Sequence, residues 1–117
     1  MTPSTSGAEG DAFENLRQEL RRGYLPLAVL VQLRDEHYGY TLRKALDEGG
    51  LDIDEGTIYP LLRRLESQGL LQSEWREENK RKKRFYRLTT HGEAILAQLL
   101  SEFRLINTSL DRIVGER

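Results

Sequence analysis

A chain of 117 residues, 38% hydrophobic and 32% charged, suits one domain of ordinary size with short extensions, a modest core and much charged helix surface. It has no cysteine and only His37 and His91, which excludes disulfides, thiolate catalysis, cysteine-ligated zinc and a histidine metal site. The formal net charge of −1 gives no overall pull on nucleic acid, and no apolar run reaches the roughly 18 residues of a membrane helix.

Met1 to Gly10 is rich in Ser, Thr, Gly and Pro with nothing to bury, and is expected to be a disordered tail over residues 1–10. From Asp11, Phe13, Leu16 and Leu20 recur at helical spacing, and Arg21 and Arg22 suit a last turn before Gly23. Pro26 then fits an early position of a second, central helix whose apolar surface (Leu27, Ala28, Leu30, Val31, Leu33) is wide enough for burial on most sides. Gly39 to Leu46 reads as a short helix stopped by Glu48-Gly49-Gly50.

In the following helix Ile58, Leu61, Leu62 and Leu65 fall at i, i+3, i+4 and i+7, so Thr57, Tyr59, Arg63, Arg64 and Ser67 lie away from the core. Either Asp54 or Thr57 can cap it, and Pro60 predicts a strained or 3₁₀-like start. Gly69 ends that helix. Leu70 to Arg76 then alternates as a strand, pairing with Arg84 to Leu88 through a hairpin around Glu78-Asn79-Lys80, where Asn79 tolerates positive φ. The last helix begins at Thr89 or at Thr90, the latter forming a capping box with Glu93. Its stripe of Ile95, Leu99, Phe103, Ile106, Leu110 and Ile113 is longer than so small a domain can cover and calls for a second copy, with Leu16 and Leu20 joining the interface.

The expected architecture is mainly α with a small β-hairpin wing: a first helix and winged helix-turn-helix over residues 11–88, and a dimerisation helix over 89–117. Charge distribution overrides the total. Between Arg76 and Arg87 seven basic residues face only Glu77 and Glu78. The run Lys80-Arg81-Lys82-Lys83-Arg84 repels itself and is rationalised by phosphate. On the helix before it, Thr57 and Tyr59 offer hydroxyls to phosphates, Arg63 and Arg64 offer forks to phosphate or guanine edges, and Gly56 allows close backbone approach. Tyr40, Thr41 and Lys44 are placed to touch the flanking backbone, Tyr40 equally well a core residue. Trp75 reads as packing or a hairpin clamp, and His37 and His91 have no evident partner. A solvated helix face and a solvated turn are the ordinary readings of the same charges.

Taken together, Tyr38-Gly39-Tyr40, Glu55-Gly56-Thr57-Ile58-Tyr59-Pro60-Leu61-Leu62-Arg63-Arg64-Leu65, Gly69-Leu70-Leu71 and Arg84-Phe85-Tyr86-Arg87-Leu88-Thr89-Thr90-His91-Gly92 closely resemble the PadR family of transcriptional regulators, in its short subfamily. The resemblance implies a homodimer on a pseudo-palindromic operator in duplex DNA, usually a repressor released by a small aromatic effector. In short relatives an aromatic residue midway along the last helix flanks a pore at the dimer interface. Phe103 matches that position, with Leu99 beside it, where a Trp would stack more surface. The family's wing commonly carries Gly where this chain has Asn79.

A soluble cytoplasmic DNA-binding regulator without cofactor or metal is therefore expected. The competing expectation is a winged-helix adaptor whose basic tip docks onto an acidic protein without specific DNA binding. No nucleophile and base pair, phosphate loop or metal cluster supports an enzyme.

Overall fold

The computed structural model describes residues 6–115 and has the element order α1 Ser6–Gln32, α2 Gly39–Glu48, α3 Glu55–Ser67, β1 Leu71–Glu78, β2 Arg81–Leu88 and α4 Thr90–Val114. This is the mainly helical winged arrangement expected, with three local departures near the N-terminus. Residues 1–5 of the expected tail lie outside the described residues, but helix already begins at Ser6. No proline interrupts Ser6 to Leu25, so the helix propagates through Gly7 and Gly10.

The break expected at Gly23 is absent: α1 runs through Gly23 and Pro26 as one helix, and Arg21 and Arg22 sit in its middle. Proline inside a helix costs about 3 kcal/mol. The same segment buries Leu25, Val29, Leu30 and Leu33 almost completely, each worth roughly 1.5–3 kcal/mol, and that burial wins. Arg22, whose carbonyl loses its intrahelical partner at Pro26, is exposed to water.

Those four residues meet Leu42 and Leu46 of α2, the Ile58, Leu61, Leu62 and Leu65 face of α3, Leu71, Tyr86 and Leu88 of the hairpin, and Leu96 of α4. Among the described residues no polar or charged side chain is buried. Backbone bonds tie the layers: Leu88 N–H donates to Leu33 O (3.0 Å), and His37 bridges Tyr86 from the free edge of β2. Thr89, not Thr90, caps α4, its hydroxyl accepting from Gly92 N–H at 2.9 Å.

The strands run further than expected, in register from Leu71↔Leu88 to Glu78↔Arg81, leaving a two-residue turn. Asn79 (φ 52) and Lys80 (φ 66) are both left-handed there, the geometry of a type I′ turn. Asn tolerates that region and Lys does not. Lys80→Gly is expected to raise unfolding free energy by about 0.5–1 kcal/mol in urea denaturation.

Beyond Leu100 every α4 residue through Gly115 is exposed, as is α1 from Gly10 to Leu20. Phe13, Leu16, Leu20, Ile106, Leu110 and Ile113 are all more than half exposed. One copy of the chain leaves them in water.

Candidate nucleic-acid interface

The helix-turn-helix is α2 and α3, and its local chemistry explains their placement. Asp54 caps α3, Oδ1 accepting from Thr57 N–H at 3.1 Å, and the hydrogen bond to Thr57 holds the Asp54 carboxyl below its ordinary range. Asp54 O accepts from both Thr57 N–H (3.2 Å) and Ile58 N–H (3.1 Å), a shared acceptor common at helix ends, and α3 is α-helical from Glu55 rather than starting as the strained or 3₁₀-like turn expected. Pro60 lies inside the helix, and Gly56, whose carbonyl it deprives of a partner, is exposed. Arg43 joins the two helices, donating from Nε to Ile53 O (3.1 Å) and from Nη1 to Glu55 (3.3 Å).

With Ile58, Leu61, Leu62 and Leu65 buried, the helical period puts Gly56, Pro60, Arg63 and Ser67 directly outward. Thr57 and Arg64 form one flank, lining a shallow groove with Arg22, Leu25 and Pro26 of α1. Tyr59 forms the other flank but is half-buried, its hydroxyl lying against Gly39; a Cβ built at Gly39 would sit 2.0 Å from it. This corrects the expectation of a free groove-facing phenol: Tyr59 packs α3 onto α2, and Gly39 makes the room.

Thr41 is likewise engaged. Its Oγ1 accepts from Tyr38 N–H (3.1 Å), donates to Tyr38 O (3.1 Å) and lies 3.0 Å from His37 Nδ1. With the hydroxyl proton on Tyr38 O, His37 Nδ1–H is the donor, so His37 has the partner that the sequence did not reveal. Burial lowers the His37 pKa from its ordinary 6.5, opposed by Asp35. Folding thus favours the neutral ring. Stability from this group is full above the unfolded value and is lost as pH falls below about 6.5, where only the unfolded chain protonates readily. In melting curves at pH 5 to 7.5, His37→Gln is expected to flatten that acid slope. Tyr40 is not core: it is 61% exposed, as Lys44 is also exposed.

The five cations of the wing divide. Lys80, Arg81 and Lys82 are exposed and, among the described residues, none is in an ion pair. Lys83 and Arg84 turn inward, which corrects their assignment to a free tip. Lys83 Nζ lies 4.5 Å from the Tyr38 ring centre and 3.4 Å from both Tyr38 Oη and Glu78, the Tyr38 bond chiefly holding its pKa up. Arg84 pairs with Glu66 of α3 at 3.0 Å. Arg76, under the Phe85 ring, is held charged by Glu36 and Glu74.

Trp75 is 61% exposed, so the packing expectation fails, though it clamps the hairpin by lying over Arg84, directly opposite in register. Strand alternation alone could have placed it on the α3 side of the wing. Phe103 meets Tyr24 at 5.8 Å between ring centres, and both line an apolar cavity of about 230 Å³ with Leu27, Val31, Leu46 and Leu100. Leu99 is not among its lining residues. No cluster among the described residues could hold a metal, and no described helix is long and apolar enough to cross a membrane.

Residues 27–98 match the transcriptional regulator PadR-like family. A transcriptional regulator of Mycobacterium tuberculosis is 39% identical over 82 residues, 69% of this chain and 77% of that protein. The crystal structure of a PadR family transcriptional regulator from Eggerthella lenta superposes with a TM-score of 0.89 at 38% identity, covering 96% of this chain and all of that one. A transcriptional regulator from Clostridium thermocellum gives a TM-score of 0.76 at 29% identity over 83% of this chain and 99% of its own. Helix-turn-helix, wing and matched relatives agree, and the chain belongs to the PadR-like family of non-enzymatic, DNA-binding transcriptional regulators, which generally act as dimers.

Proposed function

We propose that this chain is a homodimeric repressor that reads a pseudo-palindromic operator in duplex DNA through α3 and the wing, in the cytoplasm, and is released by a small aromatic effector. The observation that carries the reading is the cationic tip Lys80, Arg81 and Lys82, free of ion pairs among the described residues, on the wing that follows Arg63 and Arg64 of α3. Contacts from Gly56, Thr57, Arg63 and Arg64 to the groove, with Tyr40 and Lys44 on the flanking backbone, fit a helix-turn-helix docked in a major groove. The exposed stripe from Leu99 to Ile113, with Leu16 and Leu20, supplies the dimer contact.

For the effector, support lies in the cavity between Tyr24 and Phe103. At about 230 Å³ it is small for a drug-sized molecule and suited to a single aromatic ring. Repacking of α1 and α4 around such a ring alters the separation of the two recognition helices, and both half-sites can no longer be engaged together.

Fluorescence anisotropy against duplexes tiling the chain's own upstream region, at two salt concentrations and with an unrelated duplex as competitor, tests the DNA reading. Saturable binding to one tile that survives competitor is expected. Weak binding to every tile that vanishes with salt would leave generic electrostatics and favour the adaptor.

A further inference from the structure

Beyond the apolar core that they share, the wing and the recognition helix are joined by a polar side-chain cluster. Glu66 of α3 accepts from Ser73 Oγ of β1 at 2.6 Å and from Arg84 Nη2 of β2 at 3.0 Å. Arg84 Nε donates to Ser73 Oγ at 2.9 Å, so the three side chains close a ring across α3, β1 and β2. The rings of Trp75 and Tyr86 each lie 5.6 Å from the guanidinium. Alternation puts Ser73, Trp75, Arg84 and Tyr86 on one face of the hairpin, the face that meets α3. Glu66 and Arg84 are only 27% and 36% exposed, so water screens their pairing less than it would an open surface pair. On the opposite face Arg76 holds the hairpin to Glu36 in the segment before α2. The base of the wing is thus pinned on both sides, and its free cations lie beyond, from Lys80 to Lys82.

We propose that Glu66 is a positioning residue for DNA reading: by holding Arg84 and Ser73 it fixes the angle between wing and recognition helix. That angle sets where the tip cations stand relative to Arg63 and Arg64. Arg84 acts inside the protein, not on a phosphate. With its carboxylate neutralised, the α3 side of the wing loosens while the Arg76, His37 and core attachments stay, so the hairpin tilts away from α3 and Arg84 becomes available to any passing backbone; operator preference falls while sequence-independent binding does not. The inference rests on the proposed DNA reading and deepens it.

The test compares wild type, Glu66→Gln and Arg84→Gln on an operator duplex and an unrelated duplex of equal length, across a salt series, with melting curves alongside. If wild type prefers no duplex, the DNA reading itself fails, independently of the variants. Given that preference, Glu66→Gln is expected to bind the operator about tenfold more weakly and the unrelated duplex no more weakly. Arg84→Gln is expected to lose operator affinity similarly with the wild-type salt slope, and the double variant to be no worse than either single. The single tryptophan, Trp75, reports the ring directly: its emission is expected to change in Glu66→Gln while the helical circular dichroism stays unchanged. A salt slope shallower by about 0.9 in Arg84→Gln would make Arg84 a phosphate contact and overturn the proposal. Unchanged operator affinity in Glu66→Gln would do the same, as would equal losses on both duplexes tracking a collapsed melting temperature.

Discussion

Gly92→Ala is expected to destabilise the protein by at least about 3 kcal/mol, read in urea denaturation, and to leave little folded protein at 37 °C. A Cβ at this position would sit 2.1 Å from Leu70 O and 3.0 Å from Leu70 C. Both obstacles are backbone, held by Thr89 N–H on Leu70 O (3.0 Å) and Leu70 N–H on Leu65 O (3.0 Å), so no rotamer change relieves the clash. The first turn of α4 must lift away, which also disturbs the Thr89 cap and the burial of Leu96. Two other glycines calibrate the effect. At Gly39 the clash is with the far end of the Tyr59 side chain, which can swing aside, so Gly39→Ala should cost less. At Gly23, inside α1 with nothing within 4 Å, alanine should stabilise by roughly 0.5–1 kcal/mol.

Replacing Lys80, Arg81 and Lys82 together by Gln is expected to weaken binding to every duplex about 100-fold at roughly 0.2 M salt, with little change in sequence preference. If each cation neutralises one phosphate, the slope of log affinity against log salt falls by about 2.7 in magnitude, and about 0.7 decade of salt separates that condition from 1 M. Glu77 and Glu78 stand opposite Lys82 and Arg81 in register, and their attraction reduces the effect somewhat. A salt titration of the triple variant measures both quantities. A slope within 0.5 of wild type would remove the wing tip from the interface.

The helix-turn-helix and the hairpin were legible because their signals are local and repeated. The i, i+3, i+4, i+7 set from Ile58 to Leu65 can face only one way, and strand alternation on either side of Asn79 fixes a hairpin. Helix boundaries were less legible where two local rules conflict with burial. Gly23 and Pro26 are ordinary stop and start signals, yet Leu25 to Leu33 gains enough from the core to carry the helix across both. Among the candidate DNA contacts, residue type did not reveal which cations and hydroxyls are already engaged. Lys83 and Arg84 look like Lys80 to Lys82 in a string of letters. What separates them is chiefly the pairing of Arg84 with Glu66, 18 positions away, and of Lys83 with Tyr38, 45 positions away, beside its local pair with Glu78. Tyr59 is hidden for the same reason, its hydroxyl lying against Gly39 twenty positions away, whereas the partners of Thr41, Tyr38 and His37, are only three and four positions off and are concealed by residue type alone.

The apolar stripe left open on α1 and α4 makes the amount of protein a thermodynamic variable. In a dimer joined along it, unfolding releases two chains, and each halving of total protein removes RT ln 2, about 0.4 kcal/mol, from the stability of the pair. For such a dimer, dilution would do more than weaken DNA binding: it would expose Phe13, Leu20 and Ile113 to proteases and to other apolar surfaces. Scarcity itself would hasten the protein's removal, sharpening the drop in regulator once synthesis stops.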